Sequence, residues 1–203
     1  VVGSGKSTLI QLIGYWAAKN ELKIAMVFGN VAKINEIANF YNSLDISTVP
    51  IVGTYSKNKH KKRLDKKIAY KKKKGFLFQN EVPLFHNEGY MWLDHYCILN
   101  GFLEETKLPK GREPCFALRK TEESSKDSKY SNYYCPFISK CNKFKSDFSI
   151  NNAKILLLTP WSFVATKPLP ILNPSEFTFL EHCYFNMDLV LVDEIDRVQI
   201  NTD

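Results

Sequence analysis

Val1-Val2-Gly3-Ser4-Gly5-Lys6-Ser7-Thr8 opens the chain, and Leu189-Val190-Leu191-Val192-Asp193-Glu194-Ile195-Asp196 stands near its other end. In the first stretch an apolar pair precedes glycines, a lysine and two hydroxyl residues, and an amphipathic run follows. That is the strand, loop and helix order of a phosphate-binding loop. Its glycines let the backbone close round an anion and its consecutive N–H groups face the phosphates. Lys6 reaches the β- and γ-phosphates, and Ser7 ligates Mg²⁺. In the second stretch four apolar residues predict a buried parallel strand whose end delivers two adjacent carboxylates. Asp193 is expected to hold the Mg²⁺ shell and Glu194 to polarise an attacking water. The expected nucleotide site is therefore Gly3, Ser4, Gly5, Lys6, Ser7, Thr8 and Asp193, with Lys6, Asp193 and Glu194 catalytic. The motif's leading glycine is expected before Val1.

A chain of 203 residues with 44% hydrophobic content can bury one sizeable core. It has no uninterrupted apolar run of about 18 residues, so no membrane span is expected. The net charge of +7 is local. Between Lys57 and Lys74 stand eleven Lys or Arg and one Asp, a local +10 that leaves the rest of the chain at −3. Such a run reads equally as a solvated loop or as a DNA-contacting segment. Lys outnumbers Arg 24 to 4, a bias that coding composition also produces.

Working outward from the loop, Ser7 to Asn20 places Leu9, Ile10, Leu12, Ile13 and Trp16 on one broad face, which predicts a helix packed on a sheet. Lys23 to Phe28 reads as a strand and Val31 to Ser43 as a helix with Ile34, Ile37, Ala38 and Tyr41 inward. Ile46 to Val52 reads as the next strand. This order predicts an α/β fold with a parallel sheet. From Ser56 to about Phe148 the alternation stops over a length too great for a plain loop. Strand character returns at Ala153 to Leu158, a helix is expected from Trp161 and another over Phe177 to Phe185, and Leu189 to Val192 is the last strand. The expected organisation is residues 1–55 and 151–203 as two parts of one ATPase domain, with 56–150 as a Lys-rich, four-cysteine insertion.

Cys97, Cys115, Cys135 and Cys141 all fall inside that insertion. Four thiolates from an irregular segment can hold zinc or an iron–sulfur cluster, the metal replacing a missing core. Free, buried cysteines are the competing reading. Disulfides suit a P-loop ATPase less, because such proteins work in reducing compartments. Cys183, just before the last strand, reads as a packed residue. His95, two residues before Cys97, is a substitute ligand.

The phosphate-binding loop and the Asp-Glu strand, separated by a cysteine-bearing insertion, resemble the first motor domain of superfamily 2 DNA helicases of the XPD/DinG type. Val27-Phe28-Gly29-Asn30, Tyr134-Cys135-Pro136-Phe137 and Ala153 to Pro160 match further family segments in order. The resemblance implies a RecA-like P-loop NTPase sheet with helices on both faces. It also implies ATP and Mg²⁺ as cofactors and a 4Fe–4S cluster, with Zn²⁺ as the alternative, on Cys97, Cys115, Cys135 and Cys141. DNA, in single-stranded form, is the implied partner, with 5′-to-3′ movement, together with a second RecA-like domain beyond Asp203 that supplies the arginine finger. An intracellular location follows, cytoplasmic or nucleoid-associated, or nuclear in a eukaryote. The chain departs from the family's Ala-His ending of the acidic motif, having Ile195-Asp196 instead, which fits a broader DExD form. The competing readings are a zinc-stabilised nucleic-acid-binding protein without helicase activity and another P-loop ATPase.

Overall fold

Short apolar runs, IAMV, TVPI, ILLL and LVLV, build the central sheet. The computed structural model describes residues 5–53, 57–73, 92–94, 119–121, 130–132 and 135–193. Within them α1 (Lys6–Lys19) leads to β1 (Ile24–Val27), α2 (Val31–Asn42) and β2 (Thr48–Ile51). After α3 (Lys57–Lys73) and a small antiparallel pair, β3 (Arg119–Thr121) with β4 (Tyr130–Asn132), come α4 (Lys145–Ser149) and β5 (Ile155–Leu158). The last described elements are α5 (Pro160–Ala165), α6 (Phe179–Asn186) and β6 (Leu189–Val192).

The four long-range strands pair in parallel in the order β2-β5-β1-β6. Ile24 of β1 lies opposite Ile155 on one side and Leu189 on the other, and Thr48 of β2 lies opposite Ile155. Every residue of β1, β2 and β5 is buried, as expected of strands covered on both faces. Because side chains alternate across a strand, each face receives its own core. Ile24, Met26, Ile155 and Leu157 meet α1 and α2 through Ala17, Ala18, Ile34, Ile37, Ala38 and Tyr41. On the reverse face Ala25, Val27, Val49, Leu156 and Leu158 meet Phe163 of α5 and Phe179 and Cys183 of α6. The fold is α/β: the described residues form a four-stranded, all-parallel sheet flanked by helices.

Three expectations need correction. Most bulky residues of α1 do not form its packed face: Leu12 and Trp16 are each 61% exposed, and Gly14, Ala17 and Ala18 are buried, with Ile10 partly buried against the same core. A β-carbon added at Gly14 would come within 2.5 Å of Tyr41 Oη and closer still to Met26 Cε. Close approach therefore selects small residues on the sheet side and turns the large ones outward. The strand Leu189–Val192 is only partly buried, because among the described residues it has a neighbour on one side alone. The Lys-rich run is a helix, α3, over Lys57–Lys73 rather than a loop.

The caps follow local chemistry. Asn30 accepts from the Ala32 amide at 2.8 Å to start α2, and Thr159 accepts from the Ser162 amide at 3.0 Å to start α5, with Pro160 at its first position. Thr178 and Glu181 form a reciprocal capping box on α6.

Candidate functional site

In an open parallel sheet, ligands bind in the crevice beyond the carboxyl ends of the strands. Among the helices that begin at that end here, α1 and α2 flank the β1–β6 pair. α1 starts at Gly5, whose φ of 73° and ψ of 3° lie in the left-handed region. No heavy atom lies within 4 Å of where its β-carbon would be, so glycine is required by the backbone rather than by crowding. The Leu9 amide donates to the Gly5 carbonyl at 2.9 Å, which closes the first turn. Among the described residues no side chain caps α1, so its first amides can serve another acceptor. An anion is the natural one.

Ser7 in that first turn points to Asp193, just past β6. Its Oγ lies 3.4 Å from Asp193 Oδ2. Asp193 is held in place by its own amide, which donates to the Val27 carbonyl at 2.9 Å and so extends the β1–β6 pairing by one residue. A third group joins them. Lys33, in the first turn of α2, donates from Nζ to Ser7 Oγ at 2.6 Å and to Asp193 Oδ2 at 2.8 Å. The Lys33 ammonium also lies 5.0 Å from the centroid of the Phe28 ring, and Phe28 follows β1 directly. A hydroxyl and a carboxylate thus converge on one cation. A hydroxyl and a carboxylate are also oxygen ligands that a hard divalent ion accepts.

Lys6 and Thr8 are exposed on the same first turns of α1. Gly3, Ser4 and Glu194 lie outside the described residues. Lys33 was missed in the sequence because a lysine in the first turn of a helix is ordinarily a solvated residue. Only the adjacency of β1 and β6, which brings the end of one strand beside the other, gives it a role.

No family model, curated protein or solved structure matches this chain. The functional reading therefore stands on the residues themselves.

Of the four candidate metal-binding cysteines, Cys97 and Cys115 lie outside the described residues. Cys135 is buried and Cys141 half-buried, and a tight turn connects them: the Ile138 amide donates to the Cys135 carbonyl at 2.9 Å and the Cys141 amide to the Ile138 carbonyl at 3.2 Å. Among the described residues no group of three or more His, Cys, Asp or Glu gathers around one point. Cys183 is packed in the reverse-face core, and burial pushes its thiol up to about 12. His95, Tyr134 and Asp196 lie outside the described residues.

The basic helix α3 is divided. Lys57 is 2% exposed and donates to the Lys143 carbonyl at 3.0 Å, and burial lowers its pKa against the opposing pull of Asp147. It is a structural contact between the start of α3 and the segment before α4, which removes it from the candidate phosphate contacts. Lys59, Lys62, Arg63 and Lys66 are exposed. Among the described residues no helix is long and apolar enough to cross a membrane.

Proposed function

We propose that this chain is the first motor domain of an ATP-dependent DNA helicase or translocase, with a RecA-like nucleotide site. The observation that carries the reading is the meeting of Ser7 and Asp193, 186 positions apart, beside the glycine-started first turn of α1. The pairing of β1 with β6 brings these two distant residues to one cation position, the arrangement a ligand shared by the loop and the strand end would use. When bound, Mg²⁺ would neutralise charge on the β- and γ-phosphates. Lys6 would bind those phosphates, the amides opening α1 would orient them, Ser7 and Asp193 would hold the metal, and Glu194 would take the proton of the attacking water. The second RecA-like domain supplies the other wall of the cleft and the arginine finger, so residues 1–203 alone are expected to hydrolyse ATP poorly.

DNA as partner and the 4Fe–4S cluster, or zinc in its place, on Cys97, Cys115, Cys135 and Cys141 rest on the family resemblance. The exposed cations of α3 supply a surface of suitable charge for DNA phosphates. The decisive experiment is binding of a fluorescent ATP analogue. Lys6→Ala removes a charge-assisted contact to phosphate, and affinity should fall about tenfold or more. Retained affinity in the variant would refute the P-loop reading.

A further inference from the structure

The cation position between Ser7 and Asp193 is already taken by a side chain of this protein. Lys33 Nζ lies 2.6 Å from the hydroxyl and 2.8 Å from the carboxylate oxygen, both closer than the 3.4 Å that separates those two oxygens. The carboxylate is nearly enclosed, with Asp193 11% and Lys33 32% exposed in their side chains. The Asp193 backbone is pinned to Val27, which fixes where its side chain begins. Lys33 is steered there by the Phe28 ring beneath its ammonium and by the Asn30 cap that sets the first turn of α2.

We propose that Lys33 is a built-in counter-cation that holds the nucleotide-free site together and competes with the divalent metal for Asp193. The inference rests on the P-loop reading of Ser7 and Asp193. Without nucleotide, Lys33 offsets the charge of Asp193 and keeps α1, α2 and β6 in register at the site. When metal–nucleotide enters, the metal competes with Lys33 for the Asp193 carboxylate, because two cations at contact distance repel. Its ammonium, still tethered to the first turn of α2, then faces the crevice where phosphate lies. Lys33 is thus a positioning residue whose partner changes with the state of the site.

The test compares the affinity of a fluorescent ATP analogue in Mg²⁺ with its affinity in EDTA, in the wild type and in Lys33→Met and Lys33→Arg. Lys33→Met removes the competitor when metal is present and the cation paired with Asp193 when it is absent. The ratio of the two affinities should therefore rise about three- to tenfold, the range spanned by partly exposed ion pairs and charged hydrogen bonds. Lys33→Arg keeps the charge and should hold the ratio within about twofold of the wild type. In an Asp193→Asn background Lys33→Met should no longer change the ratio, because the shared partner is gone. Mn²⁺ binding to the nucleotide-free protein, followed by electron paramagnetic resonance, should strengthen in Lys33→Met by a similar factor. Structural damage alone would lower both nucleotide affinities together and leave their ratio and the Mn²⁺ affinity unimproved, and that result overturns the proposal. If the wild type binds the analogue under neither condition, the P-loop reading fails first and this inference goes with it.

Discussion

Tyr41 illustrates how single side chains set the stage for the site. It lies fully buried between α2 and α1, and its hydroxyl donates to the Gln11 carbonyl at 2.7 Å. Burial pushes its pKa up to about 12, so the phenol is neutral and remains a donor throughout the physiological range. Tyr41→Phe deletes the donor and leaves a carbonyl of α1 without it. A loss of about 1 kcal/mol is expected, measured as a lower urea midpoint at unchanged slope. The same bond ties the helix carrying Ser7 to the helix carrying Lys33. Nucleotide affinity should therefore weaken less in Tyr41→Phe than in Lys6→Ala, because Tyr41 touches the helices and not the crevice.

Among the elements, α1 sits on the sheet through its smallest residues. Gly14→Ala would gain about 1 kcal/mol of helix propensity. It would also force a methyl against Tyr41 Oη and Met26 Cε, and overpacking of this kind costs about 1–3 kcal/mol. The second effect is expected to win, giving a lower melting temperature than wild type. For α6 the relevant variable is pH. Burial, with help from Lys23, lowers the pKa of His182 below 6.5, so folding favours its neutral form. Below about pH 6.5 the unfolded chain takes up a proton that the folded chain resists, and stability falls until the folded pKa is passed. His60 on α3 is lowered by burial, Arg63 and Lys59 and acts in the same direction. A His182→Gln variant should show a shallower loss of melting temperature between pH 7 and pH 5. What could be read from residues at this scale was considerable. The apolar runs at 24–27, 155–158 and 189–192 and the inward set Ile34, Ile37, Ala38 and Tyr41 carry their period openly. Three things were not legible. The orientation of α1 depends on how closely Gly14 approaches the sheet, the half-exposure of β6 depends on its place in the strand order, and Lys33 depends on two strand ends being neighbours. Each is a property of tertiary adjacency, which no local period encodes.

For the molecule as a whole, the open question of metal chemistry has a direct readout. Protein purified without oxygen should be brown and contain about four irons if the cysteine set holds the cluster implied by the helicase resemblance. A colourless protein with one zinc would favour the nucleic-acid-binding alternative. The strand order carries a consequence for how the chain is made. Ile24 in the middle of the sheet finds one neighbour at Ile155, 131 positions later, and the other at Leu189, 165 positions later. At about 5–20 residues per second, a ribosome needs roughly 8–33 s to travel from β1 to the start of its second partner. Until Ile155 is made, 131 positions on, the Ile-Ala-Met-Val segment has helices to lean on but neither partner strand to bond. Newborn chains of this protein are thus natural clients for a holding chaperone.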